Sequence, residues 1–388
     1  MKEQTAKELV VRAGHALIES GLIARTWGNV SCRVDKNTFV ITPSGRSYET
    51  LTPEEVVLCN IEDASYQGDI KPSSEKRIHA LLYRTRPDIN FVIHTHQPQA
   101  SAVSTFGLPS MPVSSYKSLP TQVPVASYGL PGTKKLRNNI ETTLQNYNGN
   151  ALMMEHHGAL CFGEDYEATF FTAKELENAC QSYIRSKYLE VSLKKEWKEE
   201  EFFHYYISKA TGNSSIVLGD PLPFNGSERT QNGFILESDR NKEYQFTDPG
   251  LPPEAQLHST IYQSREDINV ILNNTNAYVL ASSLANTILR PLLDDFAQIV
   301  GPSVRCAAST KPEDIVKALR GRLGVLVPGA GALCCAATKS DAHAVAQVMQ
   351  KDALAQISAS LFGKAKPLSL FDCKLMHFVY TKSYAKKA

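Results

Sequence analysis

No stretch of the 388-residue sequence approaches the roughly 20 consecutive apolar residues of a membrane-spanning helix. The N-terminus, MKEQTAKELVVRAGHAL, lacks the charged region, apolar stretch and cleavage site of a secretory signal, and reads instead as an amphipathic helix. An excess of one charge is also missing. Forty-one Lys plus Arg against 40 Asp plus Glu leave a net charge of +1, with no basic surplus to displace counterions from a nucleic-acid backbone or dock on an anionic membrane. The eight cysteines, at positions 32, 59, 161, 180, 306, 334, 335 and 373, contain no Cys-x-x-Cys pair, which excludes zinc ribbons and suits reduced, mostly buried thiols. With 42% hydrophobic and 21% charged residues, collagen, coiled coil and disordered tail are excluded as well. The expectation is a cytoplasmic globular protein of two domains with no nucleic-acid or membrane partner.

What the sequence does contain is a repeat. Glu75 to Ile93, EKRIHALLYRTRPDINFVI, is echoed by Glu254 to Leu272, EAQLHSTIYQSREDINVIL, with seven of nineteen positions identical. Further on, the apolar run Ala151 to Met154 leads through a turn to Gly158-Ala-Leu-Cys161, and Gly324 to Val327 leads likewise to Gly331-Ala-Leu-Cys334. The chain therefore reads as two copies of one fold in tandem. The seam is placed near the turn-rich segment Thr211 to Asp220, giving domains of residues 1–212 and 213–388. Helical and strand patterns alternate in both halves, so the class is α/β or α+β.

Ser73 and Ser74 precede apolar residues at Ile78, Leu81 and Leu82, which predicts a serine-capped helix ending near Arg86-Pro87. The segment Asn90 to His96, NFVIHTH, then reads as a strand closed by Gln97-Pro98. On a strand, His94 and His96 project from the same face and present two metal nitrogens. Glu155-His156-His157-Gly158 follows another apolar strand, where only one of the two histidines can join the same site. Three histidines with a carboxylate suit zinc, because they leave coordination positions for a substrate.

The second copy is an internal control. The positions of His94 and His96 fall within Asn273 to Asn276, NNTN, and His157 becomes Ala330, so every candidate ligand disappears. His79 persists as His258 and is read as a scaffold histidine, while Glu75 persists as Glu254. No second Gly-Asn-x-Ser element is found in residues 213–250, so a phosphate cradle is not expected there.

The ordered set Gly28-Asn29-Val30-Ser31, Thr42-Pro43-Ser44-Gly45, Pro72-Ser73-Ser74-Glu75, His94-Thr95-His96 and His157-Gly158 resembles the class II aldolase/adducin family, most closely its fuculose-phosphate aldolase branch. The match covers roughly residues 8–185. The resemblance implies a three-layer α/β/α fold around a central, largely antiparallel sheet, here present twice. It implies one zinc ion per chain held by His94, His96 and His157, with Glu75 as the acid/base carboxylate. Gly28, Asn29, Ser44, Gly45, Ser73 and Ser74 would match the cradle for a substrate phosphate. Tyr116 resembles the tyrosine that a neighbouring subunit contributes as acid for the leaving aldehyde, and its match in the second copy falls at Asp295 or Phe296. The implied reaction cleaves a ketose 1-phosphate to dihydroxyacetone phosphate and an aldehyde, where a Lewis acid stabilises the enediolate. Epimerases, dehydratases and decarboxylases of the same fold, and a non-catalytic adducin-like binding protein, are the alternatives. Glu75 counts against the epimerase branch, which resembles a pattern with aspartate there. The family resemblance further implies a homo-oligomer, in which two chains of two domains form a pseudo-tetrameric ring.

Overall fold

A computed structural model describes residues 1–23, 27–219, 221, 225–363 and 365–383. The chain divides into two units, one built on Met1–Lys187 and one on Tyr188–Thr381. In the first, the order is α1 (Glu3–Glu19), β1 (Asn29–Arg33), β2 (Thr38–Ile41), β3 (Val57–Asn60), α2 (Lys76–Thr85), β4 (Phe91–Thr95), α3 (Pro98–Val103), β5 (Ser110–Pro112), β6 (Gln122–Ala126), α4 (Lys134–Leu144), β7 (Ala151–Met154), β8 (Gly158–Gly163) and α5 (Tyr166–Ser192). The strands form one sheet in the order β3-β2-β1-β4-β8-β7-β6-β5. Its neighbours are antiparallel except for the parallel pair β6 and β7.

Both faces of this sheet are covered, which makes the three layers. On one face Ile78, Leu81 and Leu82 of α2 and Leu136 and Ile140 of α4 pack on Phe39, Ile41, Val92, Leu152, Leu160 and Phe162. On the other, α1 buries Ala6, Val10, Ala13 and Leu17, residues at helical spacing along one stripe. Each buried Leu, Ile or Val among these contributes roughly 1.5–3 kcal/mol, so packing of these stripes holds the helices in place far more than helix propensity does.

The second unit repeats the plan. It runs α6 (Glu199–Thr211), β9 (Ser227–Arg229), β10 (Gly233–Leu236), β11 (Asp239–Gln245), α7 (Pro253–Ser264), β12 (Val270–Asn274), α8 (Ala277–Leu284), α9 (Asp294–Ile299), β13 (Arg305–Cys306), α10 (Pro312–Leu319), β14 (Gly324–Val327), β15 (Gly331–Ala336), α11 (Lys339–Ala359) and α12 (Leu370–Ser383). Its sheet order is β11-β10-β9-β12-β15-β14-β13, again antiparallel apart from one parallel pair, β13 and β14. α7 and α10 supply Leu257, Ile261, Ile315 and Leu319 to a core with Phe234, Ile271, Val325 and Leu333. Among the described residues no helix is long and apolar enough to cross a membrane. All eight cysteines are free thiols, seven of them buried.

Candidate metal centre

The central strand β4 lies between β1 and β8, and its C-terminal end carries the histidines. The register sets Asn29 opposite His94 on one side and Leu160 opposite His94 on the other. The strand ends at Thr95, one residue before His96, so His96 leaves the sheet while still facing the same way as His94. The third histidine comes from the β7–β8 turn. His156 and His157 sit in that turn rather than on the strand, and His156 takes a left-handed φ of 63°. That reversal sends the two imidazoles to different surroundings: His156 meets Tyr128 edge-on with ring centroids 5.5 Å apart, and His157 joins His94 and His96. The turn packs tightly enough that a Cβ on Gly158 would lie 2.2 Å from the Thr95 carbonyl oxygen, so glycine is required there.

One nitrogen from each of His94, His96 and His157 lies within 4.8 Å of the others. His94 Nε2 is 3.0 Å from His96 Nε2, and the His94 and His157 rings stack with centroids 4.9 Å apart. His94 Nδ1 donates to the Ala159 carbonyl at 2.9 Å, which turns the Nε2 lone pair into the cluster.

Glu75 completes the group from the N-terminus of α2. Its Oε1 lies 3.2 Å from His157 Nε2 and its Oε2 lies 3.3 Å from His94 Nε2. The Asn29 amide donates to Oε2 at 2.8 Å. Burial opposes ionisation of Glu75, but the His94 and His157 imidazoles and the Asn29 amide outweigh it and hold the carboxyl well below its usual range. Burial drives His94 the other way, well below the ordinary imidazole value, against the pull of Glu75. A carboxylate beside three imidazole nitrogens is a donor set for a borderline divalent cation.

The other residues singled out in the sequence are distributed as follows. Gly28 has φ 111°, and a Cβ there would lie 2.5 Å from the His94 carbonyl oxygen, so this glycine lets the loop close on the metal strand. Ser44 and Ser73 are brought side by side, because Ser44 N–H donates to Lys71 O at 2.8 Å and Ser73 N–H to Thr42 O at 3.0 Å. Gly45, with φ 73°, turns the first of these loops. Ser73 is buried and Ser74 is exposed. The serine-capped helix needs a correction: Glu75 itself occupies the cap position of α2, and Ser73 Oγ accepts the Glu75 N–H at 3.2 Å, one step ahead of the helix. Tyr116 is not gathered with the histidines. It lies in the loop after β5, with its hydroxyl 3.0 Å from Ser182 Oγ on α5.

Two features escaped the sequence reading. The first is that Asn29 grips Glu75, a role invisible without knowing that β1 pairs with β4. The second is a corresponding element in the second unit, where none was expected. Asn225 Nδ2 donates to Glu254 Oε1, and Ser227 Oγ meets His258 Nδ1 at 2.6 Å, as Ser31 Oγ meets His79 Nδ1 at 2.6 Å. The signal was the spacing Asn29-x-Ser31-x-Arg33 against Asn225-x-Ser227-x-Arg229, hidden because the glycine that precedes the first asparagine follows the second. Arg33 and Arg229 confirm the equivalence: each guanidinium donates to three backbone carbonyls, on Tyr83, Arg86 and Ile89 in one unit and on Tyr262, Arg265 and Ile268 in the other.

Comparison with known proteins finds relatives that match a little under half of this chain. The chain is 33% identical over 187 residues to a 5-deoxy-D-ribulose 1-phosphate aldolase of Bacillus thuringiensis serovar kurstaki, a stretch of 47% of this chain and 86% of that protein. It is 34% identical over 167 residues to an L-fuculose phosphate aldolase of Escherichia coli strain K12, covering 42% of this chain and 75% of the relative. Among solved structures, an L-fuculose 1-phosphate aldolase matches 47% of this chain and 86% of its own at 28% identity, with a TM-score of 0.45. The family model described as the class II aldolase and adducin N-terminal domain matches residues 8–184 and again residues 229–357. Matched in both halves by one family model, this chain belongs to the class II aldolase and adducin family.

Proposed function

We propose that the protein is a zinc-dependent aldolase that cleaves a ketose 1-phosphate to dihydroxyacetone phosphate and an aldehyde. The observation that carries this reading is the convergence of His94, His96 and His157 with an ionised Glu75 held against them by Asn29. The donor set fits zinc: three imidazole nitrogens, one of them oriented by a bond from its far side to a carbonyl, are an arrangement that leaves room for substrate. His94, His96 and His157 would hold the ion, and it would supply a Lewis acid for the negative charge that develops when a carbon–carbon bond beside a carbonyl breaks.

The chain's own groups have distinct parts in this reading. Glu75 moves the proton at the carbon atom that gains the negative charge. Asn29 orients Glu75, and Gly28 allows the approach. The paired loops bearing Ser44, Gly45, Ser73 and Ser74 offer hydroxyls and N–H groups to the substrate phosphate. Tyr116, away from the cluster of its own unit, acts in the site of a neighbouring subunit, where it takes the proton from the hydroxyl that becomes the aldehyde carbonyl and returns it in the reverse, condensing direction. The first unit is the catalytic domain in this assignment and the second a structural and interface partner, and two such chains form a pseudo-tetrameric ring. The names of the two curated relatives support a ketose phosphate as the substrate class, and that of the Bacillus thuringiensis relative a 1-phosphate.

The test is release of dihydroxyacetone phosphate from a panel of ketose 1-phosphates by the zinc-loaded full chain, each run repeated with a chelator. Chelator-sensitive release is expected, and the aldehyde formed names the substrate. Absence of release from every member, with zinc shown to be bound, replaces the aldolase by an epimerase, dehydratase or decarboxylase reaction.

A further inference from the structure

We propose that His79 is a positioning residue: it fixes the Asn29 side chain so that the amide N–H, and not the amide oxygen, faces Glu75. The inference rests on the aldolase reading for what Glu75 does, but the hydrogen-bond chain itself stands on geometry alone.

The chain of contacts runs through the sheet. Tyr83 Oη lies 2.7 Å from Ser31 Oγ, Ser31 Oγ 2.6 Å from His79 Nδ1, His79 Nε2 bonds Asn29 Oδ1, and Asn29 Nδ2 reaches Glu75 Oε2 at 2.8 Å. Ser31, His79 and Tyr83 are buried at 0%, 0% and 1% exposure, and Asn29 and Glu75 at 5% and 7%, so water does not interrupt the series. Its direction follows from the acceptor at its end. A carboxylate only accepts, so Asn29 turns its NH2 to Glu75 and its oxygen to His79. That oxygen also only accepts, so His79 carries its hydrogen on Nε2. A neutral imidazole then has an acceptor at Nδ1, which takes the Ser31 hydroxyl hydrogen, and Ser31 in turn accepts from Tyr83. Burial, the dominant influence, lowers His79 to about 4, so the ring is neutral at physiological pH and offers one donor and one acceptor as the chain requires.

The second unit separates the scaffold from the function. It keeps Ser227 between His258 and Tyr262, with Ser227 Oγ 2.6 Å from His258 Nδ1 and 2.7 Å from Tyr262 Oη. It does not keep the link onward. Among the described residues His258 Nε2 has no side-chain partner, and it is turned to the Asn225 backbone. Serine, histidine and tyrosine are therefore retained for folding in both units, whereas the step from histidine to the asparagine amide is present only where the three metal-cluster histidines are. A histidine needed for packing alone has no reason to make that step in one copy and not the other.

Two measurements on the full chain test the proposal. In 15N-histidine-labelled protein at neutral pH, His79 is expected as the neutral tautomer with hydrogen on Nε2, and a hydrogen on Nδ1 or an imidazolium would overturn the chain of bonds. In steady-state kinetics with a ketose 1-phosphate, His79→Gln places an amide nitrogen where Nε2 was and is expected to keep kcat close to that of the unaltered chain. His79→Asn has no donor reaching Asn29, and is expected to lower kcat roughly 10- to 100-fold with KM moving less, the size of effect seen when the partner that orients a reacting group is lost. Equal kcat in the two variants, or loss of folded protein with kcat per folded, zinc-loaded chain unchanged, would show a purely structural histidine. The tautomer is read without turnover, so a protein with the expected tautomer and no aldolase activity refutes the reaction and leaves the positioning chain standing.

Discussion

The two units share a sheet order, a buried Ser–His–Tyr cluster, an arginine that ties three carbonyls together and a close glycine turn, yet among the described residues only the first gathers imidazoles. Matching registers make the comparison residue by residue. His94 and Asn273 each pair with the leucine two residues past the turn glycine, Leu160 and Leu333, so His94, His96 and His157 correspond to Asn273, Thr275 and Ala330. The neighbours of the replaced positions serve the scaffold: Asn276 caps α8 by accepting the Tyr278 N–H at 3.0 Å, and Asn274 donates to the Ala346 carbonyl of α11 at 2.9 Å. The difference teaches that the scaffold does not depend on the histidine cluster. Its helices are held by apolar stripes in both units, and the cluster is an addition at the end of one central strand.

The strongest way to break this comparison is to exchange the differing residues. His94→Asn, His96→Thr and His157→Ala together should leave a folded first unit that binds no zinc and loses activity roughly a thousandfold or more, since several kcal/mol of charge stabilisation go with the ion. The reverse exchange, Asn273→His, Thr275→His and Ala330→His, should raise bound zinc from one to two equivalents per chain, because Glu254 and Asn225 already stand where Glu75 and Asn29 stand. Metal analysis of purified protein reads both, and a folded second unit that still takes up no zinc would mean the scaffolds differ beyond the ligands.

The units are also expected to respond differently to pH. In the second, burial raises Asp352 to about 7, even though its Oδ1 accepts the Leu292 and Leu293 N–H groups at 2.8 and 3.1 Å and its Oδ2 accepts from Gln356. A carboxyl raised on folding opposes folding once ionised. Its cost is absent below pH about 4, grows as pH rises toward 7 and is constant above, reaching at most about 4 kcal/mol. Hydrogen exchange of α11 amides should therefore slow on moving from pH 8 to pH 5 after correction for intrinsic exchange, and Asp352→Asn should remove that dependence. An unchanged dependence in the variant would assign it to another group.

The smallest expected effect sharpens the likeness rather than the difference. A Cβ on Gly158 would approach the Thr95 oxygen to 2.2 Å, and one on Gly331 the Asn274 oxygen to 2.3 Å. Alanine at either position should lose about 1–3 kcal/mol in denaturant unfolding, more at Gly331, whose φ of 90° adds backbone strain. A neutral Gly331→Ala would show that the second turn has relaxed.

Much of this was legible in the primary structure. Repetition of Glu, His, Tyr, Arg, Asp, Ile and Asn at fixed spacing exposed the tandem fold, since residues that satisfy one scaffold twice must recur in one order. Period-two alternation put His94 and His96 on one face, and the glycine after His157 marked a turn where backbone approaches backbone. Those signals are local, and chain connectivity alone carries them. Which of His156 and His157 enters the cluster was decided by the left-handed turn at His156. That Asn29 holds Glu75 and that His79 holds Asn29 were decided by bringing together segments 46 and 50 residues apart, and that Asn225 holds Glu254 in the second unit by bringing together segments 29 residues apart. Hydrogen-bond partners at such separations are set by sheet register and by which side chains are sealed from water together, and these exist only once the chain has folded.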